Sequence, residues 1–397
     1  MVTQITIIVL CSLGGNTLRA ARLFARGLQN TDATAHVRIL EPALPLSPAA
    51  RRTTLTDPAV AAAAAARDTA IAASVAASAA VAVMAPVFAY DVPPGTVAWL
   101  RAVLPPLDGR VCVAACTYGT LAGAAPAVLA RTLADRGGRV VAAHALRTPD
   151  TFAWFLPRAG AAPVRWPAAT HTACHAAGAH LAHVLATGCG EVEGCAVPTE
   201  PCGPSWAART LAAMPYASTR AMTGPVRVDA QRCVRCGACT LRCPTGALRM
   251  RSAGGTTDVE DVAGPVWDEA RCVGCAQCAG QCTRGALTVG TLGARGAAFP
   301  VRRGAGRVPR EVETAAVSEA EDTALAEACA DARAWRGEYA GEWARFLCVA
   351  ATHPLAALRA VWAFLVGVVV TVVLGTRPMK STPQEEKEEE AQDCHDE

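Results

Sequence analysis

Over roughly the first 190 residues, short and strongly apolar runs alternate with longer stretches that read as helical, one with apolar positions at helical spacing (18–29) and one alanine-rich (58–74). The short runs are residues 4–10 (QITIIVL), 35–40, 79–85, 110–115 and 139–145. Runs of this length, rich in Val, Ile and Ala and bounded by turn signals, read as buried strands. The longer stretches, 18–29, 58–74, 97–104, 126–135 and 168–187, read as helices. Five strands alternating with helices predict an α/β fold: a parallel sheet covered on both faces, with right-handed crossovers. The first run resembles a signal-peptide core, but it has no basic segment before it and no small-residue cleavage site, so it is assigned to strand 1. In 58–74, Arg67 and Asp68 argue against a membrane span.

The pattern differs near the other end. Residues 360–376 (AVWAFLVGVVVTVVLGT) carry no charge over 17 positions, and 355–376 gives 22 residues if Arg359 reaches the headgroups. A spanning helix needs about 20 apolar residues. A single C-terminal transmembrane helix is therefore predicted, with Trp362 at the interface. Residues 377–397 follow as an acidic tail with eight acids and three bases. Arg345 and Arg359 before the span and Arg377 and Lys380 after it leave orientation undecided by charge. Five boundaries follow: 1–190, the α/β domain; 191–224, a linker; 225–292, a cysteine-rich domain; 293–354, a connector; then the span and tail. The connector holds a basic stretch (Arg302, Arg303, Arg307, Arg310), read as solvated. It also holds 311–338, read as an amphipathic helix leading toward the membrane.

Composition narrows the function. A chain of 397 residues suggests two or three folded units. A net charge of +3 excludes a strongly basic nucleic-acid binder and a highly charged disordered chain. Only 5% of residues are aromatic against 52% hydrophobic, because alanine fills the difference. The unusual number is eighteen cysteines. A disulfide-stapled secreted protein would be far shorter, so the count points to metal or redox chemistry in a reducing compartment.

Eight of them fall in two runs of one pattern: Cys233-x2-Cys236-x2-Cys239-x3-Cys243-Pro244 and Cys272-x2-Cys275-x2-Cys278-x3-Cys282. Structural zinc takes four ligands, usually as two pairs, and fits this spacing poorly. The spacing resembles that of bacterial ferredoxins with two [4Fe–4S] clusters, in which the fourth cysteine of each run ligates the other cluster. That resemblance implies cluster I on Cys233, Cys236, Cys239 and Cys282, and cluster II on Cys272, Cys275, Cys278 and Cys243. Gly237 and Gly274 suit tight turns around sulfur. The two runs repeat at 39 residues, and short strands at 226–228 and 286–289 would pair. Thr283 departs from the proline that often follows the last cysteine.

The turn after strand 1, Ser12-Leu13-Gly14-Gly15-Asn16-Thr17, leads into a helix and suits a phosphate. It is neither a Gly-Lys-Ser/Thr loop nor G-x-G-x-x-G. It resembles the flavodoxin phosphate loop, with Gly14 where a hydroxyl residue is usual. Pro86-Val87-Phe88-Ala89-Tyr90 and Cys116-Thr117-Tyr118-Gly119-Thr120 are similar to the loops after strands 3 and 4 that sandwich a flavin in that family. By resemblance, Ser12, Gly14, Gly15, Asn16, Thr17, Thr117 and Gly119 would bind FMN, and Phe88, Tyr90 and Tyr118 would contact its ring. The chain as a whole resembles flavodoxin–ferredoxin fusion proteins over roughly residues 1–290. The resemblance implies a flavodoxin-like five-stranded sheet, then a small α+β two-cluster ferredoxin domain.

The expected function is membrane-anchored electron transfer: single electrons through two [4Fe–4S] clusters, with FMN as one/two-electron converter. A redox protein is the expected donor or acceptor, and the redox domains are expected to face the cytosol. The alternative is a ferredoxin-linked, flavin-dependent reductase acting on a small molecule. Ten cysteines lie outside the two runs and suggest no third cluster. His171 and His175 stand at i, i+4, which can face a metal together, but no acid accompanies them nearby, and they read as an amphipathic or surface stripe.

Overall fold

The computed structural model describes residues 3–12, 15–44, 46, 50–51, 55, 57–88, 90–93, 95–119, 121–149, 165–188, 225–251, 264–275, 277–289, 294–295 and 318–329. The linker at 191–224, the membrane helix expected at 355–376 and the tail at 377–397 lie outside these residues.

The first domain runs β1 (Gln4–Val9), α1 (Asn16–Thr31), β2 (His36–Leu40), α2 (Pro58–Ala76), β3 (Ala80–Pro86), α3 (Thr96–Val103), β4 (Val111–Tyr118), α4 (Ala125–Asp135), β5 (Arg139–Arg147) and α5 (Ala168–Thr187). The five strands form one parallel sheet in the order β2-β1-β3-β4-β5. This is the flavodoxin-like doubly wound order, whose switch point lies between β1 and β3. Alternation along β1 sets the two layers. Ile5, Ile7 and Val9 pack under α1 and α5. Ile8 and Leu10 pack under α2, α3 and α4, with Ile71, Trp99 and Leu129. Thr6 also belongs to the second face, where its hydroxyl is satisfied by Ser74 (2.8 Å) and Ser78 (2.7 Å).

Among the described residues, α2 is the one helix long and apolar enough to cross a membrane. It lies on the sheet instead. Arg67 is buried and its Nε donates to the Glu41 carbonyl at 2.8 Å. Asp68 pairs with Arg51 and accepts from the Trp99 indole at 3.1 Å. Asp57 caps the helix by accepting from the Ala59 N–H at 2.8 Å, and Pro58 occupies the first turn.

One difference from the expected strands bears on the site. Cys116, Thr117 and Tyr118 are the last three residues of β4, not a loop. Pairing of Thr117 with Pro86 of β3, and of Tyr118 with Arg147 of β5, carries the strand that far.

A half-buried histidine gives the first domain an acid-sensitive element. The His144 Nε2 on β5 is sealed from solvent without a hydrogen-bond partner. Burial, then the nearby His180, lowers its pKa to about 4. The unfolded chain therefore takes up a proton below pH 6.5 that the folded chain refuses until about pH 4. Stability falls as pH drops through that window, by up to roughly 3 kcal/mol from this residue. Thermal melts of wild type and His144→Leu should diverge between pH 6.5 and 4.5, with the wild type losing more; parallel pH curves would refute the assignment.

The second domain is small: β6 (Val226–Val228), α6 (Ala238–Leu241), β7 (Leu248–Arg251), β8 (Gly264–Trp267), α7 (Gln277–Gln281), β9 (Leu287–Val289) and β10 (Ala294–Arg295). Its pairing is crossed. β6, at the start of the first repeat, pairs antiparallel with β9, at the end of the second. β7, ending the first repeat, pairs with β8, opening the second. Val226, Leu248, Ala279, Leu287 and Val289 form the shared core.

The last described helix is α8 (Glu319–Glu327), which has no fully buried residue; the rest of the stretch expected at 311–338 lies largely outside the described residues. The helix is held on the first domain by Leu325, which packs against the core, and by charge. Arg22 donates to both carboxylate oxygens of Glu321 at 2.6 Å, and Arg26 pairs with Glu319 at 3.7 Å.

Candidate cluster cavities and the loops at the sheet edge

The eight cysteines of the two runs line two cavities, divided four and four. One is walled by Cys233, Cys236, Cys239 and Cys282. The other is walled by Cys243, Cys272, Cys275 and Cys278. Cys243 and Cys282 thus each sit with the other run. The crossed strand pairing is the cause: the chain leaves the first run through Cys243 toward β7, which is zipped to β8 just ahead of the second run.

The repeat is visible in local bonds. Asp229 Oδ1 accepts from the N–H groups of Gln231 and Arg232, and Asp268 Oδ1 accepts from those of Ala270 and Arg271. Each Asx turn lies four residues before the first cysteine of its run. Their identical placement in the 39-residue repeat was the signal that could have found them. After the fourth cysteines, Ala247 N–H donates to Cys243 Sγ at 3.1 Å and Ala286 N–H to Cys282 Sγ at 3.2 Å. Gly246 and Gly285 turn the backbone there in left-handed conformation (φ 65 and 59). Such N–H···S bonds withdraw charge from sulfur and raise a bound cluster's potential. Between the first two cysteines, Gly274 has φ 70, whereas its counterpart Arg235 holds φ 56 with a side chain.

The donor set suits a cationic cluster. Burial, and then Cys233, Cys236 and Cys282, push the Cys239 thiol up to about 12. Burial and Cys243 raise Cys275 further, and Cys278 is raised by burial and by Cys275. Thiols crowded and raised in this way are held as thiolates by metal cations, and iron would supply that charge. The residues present fit [4Fe–4S] ligation.

At the C-terminal edge of the parallel sheet, the loops after β1, β3 and β4 come together. Gly15 takes φ 84 and caps α1, and among the described residues the N–H groups of Asn16 and Thr17 have no partner. Two amides free at a helix start suit a phosphate. The side chains are otherwise engaged. Ser12 Oγ accepts from Leu18 N–H at 2.8 Å, Thr17 and Thr117 share a buried hydroxyl bond of 2.8 Å, and Asn16 joins the Pro149 carbonyl and the Trp166 indole. Phe88 bridges to Asp91 and packs on the core. Tyr90 has φ 66 and its carbonyl accepts from Ala124 N–H. Tyr118 closes β4 with its carbonyl accepting from Thr148 N–H at 2.7 Å, and Gly119 accepts from Arg147. Gly14 lies outside the described residues. The backbone of the loop fits a phosphate, while its hydroxyls would have to exchange partners.

The two regions are neighbours. Burial, and then the charges of Cys275, Glu41 and Cys243, raise the Cys11 thiol at the end of β1. Leu241 of the second domain packs against Ala43, Leu55 and Ala64 of the first.

Residues 214–286 match the 4Fe-4S dicluster domain family. No curated protein matches the chain. Among solved structures, a flavodoxin from the domain Archaea is 16% identical, with 46% of this chain and 99% of that one covered and a TM-score of 0.31. A flavodiiron core from Synechocystis is 18% identical, covering 47% of this chain but only 37% of that one, at a TM-score of 0.32. A WrbA-like flavodoxin from Agrobacterium tumefaciens is 13% identical, with coverage of 46% and 96% and a TM-score of 0.31. The second domain is an iron–sulfur, ferredoxin-type domain.

Proposed function

We propose that this chain is an electron-transfer protein carrying one [4Fe–4S] cluster in each cavity and FMN at the edge of the parallel sheet. The observation that carries the reading is the division of eight cysteines into two four-thiol cavities. Bound there, clusters supply one-electron transfer, and a flavin converts between one- and two-electron steps. The chain's own residues do the rest. The two cysteine sets hold and partly desolvate the metal, and the Ala247 and Ala286 amides tune the sulfurs. The amides of Asn16 and Thr17, without a partner among the described residues, would receive the flavin phosphate, and Tyr118 at the end of β4 is the ring contact the flavodoxin resemblance implies.

The packing of Leu241 against Ala43, Leu55 and Ala64 supports direct electron passage between the ferredoxin-type domain and the flavin loop. The uncharged stretch at 360–376 supports a membrane anchor, with both redox domains on the cytosolic side. Protease protection of the cysteine-rich domain in sealed, cytosol-side-out membranes would overturn that placement.

Flavin is tested directly. Anaerobically purified full chain, reconstituted with FMN and acid-extracted, should release one FMN per chain. Tyr118→Ala should weaken binding roughly tenfold, the scale of one aromatic stack. No flavin after reconstitution would retire FMN and leave the clusters standing.

A further inference from the structure

Helices α5 and α8 bring together three metal-ligating side chains that no cluster or flavin uses. His171 and His175 lie one turn apart on one face of α5. Asp322 arrives from α8, well over a hundred positions later in the chain. Its Oδ1 stands 3.0 Å from His171 Nε2 and 2.9 Å from His175 Nε2. The two imidazole rings tilt at 43° with centroids 4.9 Å apart. All three side chains are largely buried, at 12%, 21% and 18% exposure.

We propose that His171, His175 and Asp322 bind one divalent transition-metal ion of the zinc class, which clasps α8 onto the first domain. Both imidazole nitrogens converge on one carboxylate oxygen, and the three ligand atoms lie within 4.8 Å of one another. In tetrahedral coordination with bonds of about 2.0–2.1 Å, ligand atoms stand about 3.4 Å apart. Opening the observed nitrogen–oxygen contacts by about half an ångström, with the two imidazole nitrogens brought to a similar separation, would seat the ion. Two imidazoles and one carboxylate suit zinc-class ions rather than calcium or magnesium, and three protein ligands leave a position for water.

The surrounding charge permits a cation. Arg22 and Arg26 are paired with Glu321 and Glu319. Arg19 also reaches His171 with its charge, but its guanidinium is engaged, stacking over Trp166 at 4.3 Å and donating to the Leu325 carbonyl. The ion also answers a structural need. A nine-residue helix with no fully buried residue, resting on Leu325 and on partly exposed ion pairs, is marginal alone. A metal joining α5 to α8 would fix the segment that follows the dicluster domain against the α1–α5 layer.

The test uses the full chain with its iron loaded, titrated with zinc chloride, desalted and assayed for zinc. Zinc K-edge absorption reads the ligands independently of iron. One zinc per chain is expected, with a nitrogen/oxygen shell at about 2.0–2.1 Å and scattering from two imidazoles. It should be lost in His171→Gln/His175→Gln and in Asp322→Ala, both with unchanged iron content. Hydrogen exchange of the α8 amides should slow at least tenfold on zinc addition in wild type and not in Asp322→Ala. Equal zinc uptake by wild type and Asp322→Ala, or a sulfur shell near 2.3 Å, would overturn the site. If the double histidine variant misfolds, the Asp322→Ala comparison decides alone, because α8 has no fully buried residue.

Discussion

Cys243→Ser will empty the cavity of the second cysteine run and leave that of the first run filled. By sequence position Cys243 belongs with Cys233, Cys236 and Cys239. In the fold it lines a cavity with Cys272, Cys275 and Cys278. The antiparallel pairs β6–β9 and β7–β8 exchange the ends of the two repeats, and the fourth cysteine of each run moves with them. Iron should fall from about eight to about four per chain. Paired variants make the result decisive. Cys243→Ser with Cys275→Ser should lose no more iron than either alone, because both serve one cluster. Cys243→Ser with Cys233→Ser should lose nearly all of it. The opposite ranking would mean that each run holds its own cluster.

Gly178→Ala will destabilise the first domain by about 2 kcal/mol or more, although alanine is the better helix former by about 1 kcal/mol. Helices α1 and α5 cross through glycines. A Cβ on Gly178 would stand 2.0 Å from the Phe24 carbonyl oxygen, and one on Gly27 would stand 2.2 Å from that of His175. Both obstacles are backbone atoms, so relief requires moving a helix away from a core that includes Phe24, Leu28 and Leu181. For a domain of this size the melting temperature should drop by roughly 4–8 °C. Ala176→Gly, at an exposed position on the same helix, should cost only about 1 kcal/mol. A Gly178→Ala variant as stable as wild type would show that the two helices do not approach this closely.

The strands and helices of the first domain were legible because each buried strand is a compact apolar run, Asn16–Thr31 carries an apolar stripe, and Pro58–Ala76 and Ala168–Thr187 are long alanine-rich stretches. The end of β4 was not. Cys116-Thr117-Tyr118, followed by Gly119, reads as a loop, and only the register with β3 and β5 keeps its first three residues in the sheet. The cysteine runs were legible because ligand spacing is local. The turns built on Asp229 and Asp268 lie just outside the cysteine pattern, and finding them requires aligning the two repeats. Asp322 had no readable signal as a partner of His171 and His175. It sits among Glu319, Glu321 and other acids that look like a solvated face, far along the chain from the helix it meets. The acid expected to be missing beside those histidines is supplied by tertiary packing. Similarly, Ser12, Thr17 and Asn16 match a phosphate loop by residue type, but the fold commits their side chains to Leu18, Thr117, Pro149 and Trp166.

The two-cluster reading is tested most directly by iron and acid-labile sulfide in the full chain, purified anaerobically, reconstituted, and examined by electron paramagnetic resonance after dithionite reduction. About eight irons and about eight sulfides per chain are expected, with a signal from reduced [4Fe–4S] centres. About four irons or fewer after reconstitution, or zinc in place of iron on the eight cysteines, would contradict it.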